Sequence, residues 1–117
     1  MKLALCTHFM DAPFWSRQIL DASADMNVSL DEYSDAENIL NSHQRFDAVV
    51  VALKGVLGLQ TVRSLRESGM DLPLIWIADE DSYFSFAYRY QVSSFLLEND
   101  DPAVLRGAMI RLNEVVA

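Results

Sequence analysis

The stretch Phe46-Asp47-Ala48-Val49-Val50-Val51-Ala52-Leu53-Lys54-Gly55 decides the fold class. Its apolar part is short, uninterrupted and β-branched, which is the pattern of a strand covered on both faces inside a parallel sheet. Working outward, Leu3–Thr7, Leu74–Ile77 and Ser94–Leu97 form three further apolar runs. A weaker run, Val28–Tyr33, alternates imperfectly and suggests an outer strand. Helical spacing fills the gaps between them. Phe14, Ile19 and Leu20 mark a first helix, opened by Asp11 as cap and Pro13 in the first turn, where the missing N–H costs little. Ser34-Asp35-Ala36-Glu37 predicts a capping box at the start of a short second helix carrying Ile39 and Leu40. A third helix is expected over about 59–68, with Val62 and Leu65 on one face and Gly69 as its stop. A fourth, aromatic-rich, is expected over 82–90. The last is opened by Asp101 and Pro102 and carries Val104, Leu105, Ala108, Met109, Leu112 and Val115 along one stripe.

Strands and helices thus alternate five times with short links. That order implies a doubly wound α/β domain: a five-stranded parallel sheet with right-handed crossovers and helices on both faces, of flavodoxin-like type. The chain of 117 residues is read as one domain, 1–117, without repeats or low-complexity tracts. A hydrophobic fraction of 51% against 22% charged residues excludes a disordered chain. The formal net charge of −8 argues against nucleic acid or an anionic membrane as a direct partner, since both demand a basic surface. A lone cysteine, Cys6, fits a reducing, cytoplasmic location. The N-terminus reads as a strand rather than a signal peptide, and no apolar stretch reaches the ~18–20 residues of a membrane span.

Ligands gather at the carboxyl ends of strands in such sheets. The candidates there are Thr7, His8 and Phe9, then 52–57, 78–81 and 98–100. A resemblance enters at this point. Phe46–Val51 followed by Gly58-Leu59 and Leu65-Arg66 resembles the third strand and helix of response-regulator receiver domains, and Leu72-Pro73-Leu74-Ile75-Trp76-Ile77-Ala78 is similar to their fourth strand. The segment Tyr83-Phe84-Ser85-Phe86-Ala87-Tyr88-Arg89-Tyr90-Gln91-Val92-Ser93-Ser94-Phe95-Leu96-Leu97 looks like receivers of the LytTR-type subgroup.

The resemblance implies phosphorylation chemistry whose residues this chain does not carry. Receivers place two acids at the end of the first strand to hold magnesium, where Thr7 and His8 stand here. The phosphoacceptor position falls on Ala52, the hydroxyl position on Ala78, and the Lys-Pro pair is replaced by Glu98-Asn99. The loop from Ala52 to Gly58 is about two residues shorter than the receiver pattern. Magnesium demands hard oxygen ligands, and phosphoryl transfer needs acceptor, metal and cation together. The expectation is a degenerate receiver, not an enzyme, with no cofactor and no metal. It would signal by binding protein or by self-association, with a homodimer through the face formed by the fourth helix, fifth strand and fifth helix. Phe84, Ala87 and Tyr88 are expected to face the sheet, leaving Tyr83, Phe86 and Tyr90 partly exposed as the interaction surface. A LytTR-like DNA-binding domain beyond Ala117 would be natural for such a chain.

Three other readings deserve weight. Asp47 precedes its strand, so it is expected at the opposite end of the sheet as a strand-start residue. Asp79, Glu80 and Asp81 are expected to form a solvated loop, with Asp81 as a helix cap. Cys6 and His8, with Lys54-Gly55, offer an alternative: a small-ligand-binding or phosphotransfer enzyme using the strand-end pocket. The residues after them, Phe9-Met10-Asp11-Ala12-Pro13, supply neither glycine nor arginine to stabilise a thiolate or phosphoryl oxygens, which favours a buried structural cysteine.

Overall fold

A computed structural model describes residues 1–116. The elements are β1 (Lys2–Thr7), α1 (Ala12–Ala22), β2 (Ser29–Tyr33), α2 (Ala36–Leu40), β3 (Ala48–Ala52), α3 (Gly55–Glu67), β4 (Leu74–Ala78), a 3-10 turn (Asp81–Tyr83) leading into α4 (Phe84–Arg89), β5 (Ser94–Leu97) and α5 (Pro102–Val116). All strand pairs are parallel, in the order β2-β1-β3-β4-β5. The chain leaves β1 for β2 on one side and returns to β3 on the other. That reversal opens a crevice at the carboxyl ends of β1 and β3, where Thr7 stands beside Ala52.

The three central strands are continuously apolar because each feeds two cores. Leu3, Leu5, Val50, Ile75 and Ile77 point to one face and pack with Ile19 of α1 and with Leu105, Ala108, Met109 and Leu112 of α5. Ala4, Cys6, Val49, Val51, Leu74 and Trp76 point to the other, against Ile39 of α2, Val62 and Leu65 of α3 and Ala87 of α4. In the α5 stripe, Leu105, Met109 and Leu112 each contribute about 1.5–3 kcal/mol by burial. Val104 and Val115, expected in that stripe, are instead exposed, because the sheet reaches only the middle of the helix face. Asp101 caps α5 as expected, its carboxylate accepting from Ala103 N at 2.9 Å.

Several helix starts differ from the sequence reading. Asp11 sits at the N-cap of α1, but its side chain makes no capping bond. The Ser34/Glu37 capping box does not form. Asp35 caps α2, accepting from Asn38 N at 2.8 Å, so the helix begins one residue later and the box partners fall out of register. Helix α3 begins four residues early, at Gly55, whose φ of 61° lies in the left-handed region glycine tolerates.

The opposite edge of the sheet is closed by polar groups. Asp47 lies there as expected and accepts from Lys2 N at 2.7 Å, pinning β1 to β3. Helices α3 and α4 both end in left-handed residues, Gly69 at φ 93° and Gln91 at φ 53°. Each is followed by the wrap-around bond of a Schellman turn, Met70 N to Leu65 O and Val92 N to Ala87 O. Arg66 joins the two turns, donating to the carbonyls of Met70, Leu72, Tyr90 and Gln91. Burial lowers its guanidinium pKa from the ordinary value. Among the described residues, no helix is long and apolar enough to cross a membrane.

Candidate functional site

The crevice between β1 and β3 is filled from within. Thr7 is buried, and its hydroxyl donates to the carbonyl of Ala52 at 2.7 Å. Ala52 and Ala78 are themselves buried. The hydroxyl is thus committed to the backbone and the two alanines present only methyl groups. His8 turns outward: its Nδ1 accepts from Met10 N at 3.1 Å and its ring lies 4.7 Å from that of Phe9. This closes a tight turn ahead of α1 and takes the imidazole away from the crevice.

Two links bridge the loops above the crevice. Asp79, just past β4, accepts from the N–H of Gly55 at 2.8 Å, so a carboxylate from one strand end sits on the first turn of α3. An anion there satisfies an orphan donor and meets the positive end of the helix dipole. Asp79 is therefore not part of a free solvated loop, in contrast to the sequence reading, whereas Glu80 and Asp81 are exposed. Asp81 does not cap a helix but lies inside the 3-10 turn. Lys54 pairs with Glu98 across 3.8 Å, joining the β3–α3 loop to the end of β5. Neither link was legible locally, because each joins residues tens of positions apart. The nearest signal was an acid immediately following an apolar strand.

A receiver's magnesium does not fit this edge. The donors in the expected place are a threonine already bonded to backbone and a histidine turned away. Among the described residues, no group of three His, Cys, Asp or Glu side chains converges on a possible ion. The alternative Cys6/His8 pocket does not form. Cys6 lies on the α2–α3 face of β1, fully buried, while His8 is exposed. Burial, with a smaller contribution from Asp35, pushes the Cys6 thiol up to about 12, so it stays protonated at neutral pH. The cleft of about 250 Å³ between the ends of β1 and β2 is lined by Thr7, Phe9, Ala12, Glu32, Tyr33 and Ser34, and includes neither. Lys54 is exposed, committed to Glu98 rather than aimed into a pocket.

The aromatic helix is rotated relative to the sequence expectation. Ala87 alone is fully buried, and its small side chain lets α4 lie close to the sheet. Tyr83 and Tyr90, four before and three after it, share that face, and with Phe86 they are half-buried against the core around Trp76. Tyr83 and Phe95 flank the Trp76 ring at 5.8 and 5.3 Å. Phe84 and Tyr88, expected to face the sheet, are 63% and 85% exposed instead. The sequence signal was the single small apolar residue, Ala87, with aromatics at helical spacing on either side.

No family model matches the sequence, and no curated protein matches it. Solved structures do. The chain is similar to the response regulatory domain of protein mrkE from Klebsiella pneumoniae, with a TM-score of 0.76 at 13% identity, covering 99% of this chain and 98% of that one. It is similar over the full length of both chains to a response regulator receiver protein from Pseudoalteromonas atlantica, with a TM-score of 0.77 at 18% identity. The REC domain of AraT, a response regulator from Geobacillus stearothermophilus, superposes with a TM-score of 0.71 at 27% identity, covering 98% of this chain and 94% of that one. The fold is that of receiver domains, with the flavodoxin-like five-stranded parallel sheet.

Proposed function

We propose that this chain is a degenerate receiver, a regulatory module that works by binding protein and takes no phosphoryl group. The observation that carries this reading is the buried Ala52 at the carboxyl end of β3, with the neighbouring Thr7 hydroxyl bonded to its carbonyl. The loop links support it. The receiver resemblance implies an acid at the end of the third strand and a lysine after the fifth. Here the polarity is reversed, with Lys54 after β3 and Glu98 after β5. An ion pair of this sense bridges the loops without a phosphate. A phosphoryl group would instead meet the carboxylates of Asp79 and Glu98 in a site without a metal-binding pair of acids.

The module is non-catalytic in this reading, since the Cys6 thiol is buried and protonated and His8 faces solvent. Self-association would use the α4–β5–α5 face, where Tyr83, Phe86 and Tyr90 are half-buried and Tyr88 stands fully out. The test is incubation with acetyl phosphate and magnesium, followed by intact mass and hydroxylamine sensitivity. The wild-type chain and Ala52→Asp are both expected to stay unmodified, because a restored acid still lacks the metal site. A hydroxylamine-labile phosphoryl adduct on the wild-type chain refutes the reading.

A further inference from the structure

The net charge of this protein is confined to one edge. The segments that follow the five strands (8–14, 34–38, 53–58, 79–84 and 98–103) hold nine carboxylates and one cation, Lys54. The rest of the chain holds eight carboxylates and eight cations, so the whole net charge of −8 resides on the carboxyl edge of the sheet. The same edge is apolar. Among the described residues, eight large apolar side chains are more than half exposed, and six of them, Phe9, Met10, Phe14, Val56, Leu57 and Phe84, belong to these segments. Beside Phe14 a cleft of about 50 Å³ reaches down to Ile77, Leu96 and Leu105 under a rim that includes Glu98 and Asp101.

Exposed apolar side chains on a soluble domain mark contact surfaces when they cluster, and carboxylates crowded at one end repel one another until a cation approaches. We infer that the carboxyl edge of the sheet docks a basic amphipathic helical segment of a partner protein, apolar side chains seated among Phe9, Phe14, Val56 and Phe84 with lysines or arginines meeting the surrounding carboxylates. Charge selects this occupant. Nucleic acid and anionic lipid are repelled by the edge, and a second copy would bring two strongly acidic edges together. A helix that repeats apolar residues at three- and four-residue spacing matches a patch bordered by charge. This surface meets the α4–β5–α5 face only along its strand-end rim, where the Phe84 ring lies 5.9 Å from that of Phe95, and it rests on side-chain chemistry alone, so it stands whether or not the phosphorylation-independent reading holds.

The test titrates the full chain into a labelled model helix of alternating lysine and leucine faces and follows fluorescence anisotropy. A glutamate–leucine helix of the same pattern and phosphatidylserine vesicles serve as the other two probes. The lysine–leucine helix is expected to bind at least about tenfold more tightly than its acidic counterpart, and more weakly as salt rises through about 0.05–0.3 M. Phe9→Ala with Phe84→Ala, both at exposed positions, should weaken binding at least about fivefold, while Tyr88→Ala leaves it unchanged. Hydrogen-exchange protection should fall on the strand-end segments. Four results would each overturn the inference: no binding, binding that the double phenylalanine variant leaves intact, protection confined to 85–97 and to α5 beyond residue 103, or binding to the vesicles. The phosphodonor experiment has no bearing on any of these, so the two readings fail separately.

Discussion

Two glycines in helix interiors should respond in opposite directions to the same substitution. Replacing glycine by alanine inside a helix ordinarily stabilises by about 0.8–1 kcal/mol, because alanine loses less backbone entropy. Gly107 in α5 fits that expectation: an added Cβ meets only Arg111 Nη1 at 3.3 Å, the far end of a flexible side chain. Gly58 in α3 does not. A Cβ there collides with the carbonyl oxygen of Leu53 and lies 3.2 Å from Trp76 Nε1, in a fully buried position. A backbone carbonyl cannot swing aside, and forcing volume into a packed site costs about 1–3 kcal/mol. After subtracting the propensity gain, Gly58→Ala should lose about 0.2–2 kcal/mol and Gly107→Ala should gain up to about 1 kcal/mol. For 117 residues the unfolding entropy is about 250 cal/mol/K, so each kcal/mol moves the Tm by about 4 °C. Thermal denaturation followed by circular dichroism should therefore place Gly58→Ala about 1–8 °C below wild type and Gly107→Ala up to about 4 °C above it. The close approach of α3 to the β3–α3 loop is refuted if Gly58→Ala melts at or above wild type.

Two further outcomes follow from single groups. With the folded thiol of Cys6 near 12, fewer than about one molecule in a thousand carries a thiolate at pH 8.5, so iodoacetamide should label the native chain at least about 100-fold more slowly than the urea-unfolded chain. Because the folded pKa is raised, stability should also decline as pH climbs from the unfolded thiol's about 8.5 towards that value, a decline that Cys6→Ser removes; equal labelling of both states contradicts the burial. The Arg106 guanidinium, hydrogen-bonded to Asp25 at 2.6 and 2.9 Å, holds that carboxyl below the ordinary aspartate range. The stabilisation is present above the unfolded value of about 3.9 and is lost as pH falls through the folded one, so the difference between wild type and Asp25→Asn should shrink with acid in urea titrations, and a gap that widens there refutes the pairing.

The candidate site was legible in part. Ala52 at the end of β3 and Thr7 beside it could be placed from the strand pattern, because burial on both faces leaves a continuous apolar run with a definite end. The α5 cap at Asp101 was legible for the same local reason: an acid, a proline and an apolar stripe follow within one turn. The start of α3 was not, since Val56 and Leu57 are exposed and add nothing to the buried stripe that Val62 and Leu65 define. The bond from Gly55 N to Asp79 and the Lys54–Glu98 pair escaped because they span β3, β4 and β5.

The sequence by itself determined the alternation of five strands and five helices, the α/β class, and the identity of the residues at the strand ends, Thr7, Ala52, Ala78 and Glu98. Those properties are written in local periodicity and residue identity, which no tertiary contact can change. Tertiary structure alone decided which way α4 faces, that Cys6 is buried while His8 turns out to solvent, and that the net charge gathers with the exposed phenylalanines on one edge. The physical reason is the parallel sheet, which brings five loops distant in sequence to a single rim. Rotation of a short helix about its axis is then set by the one small side chain the sheet can accept.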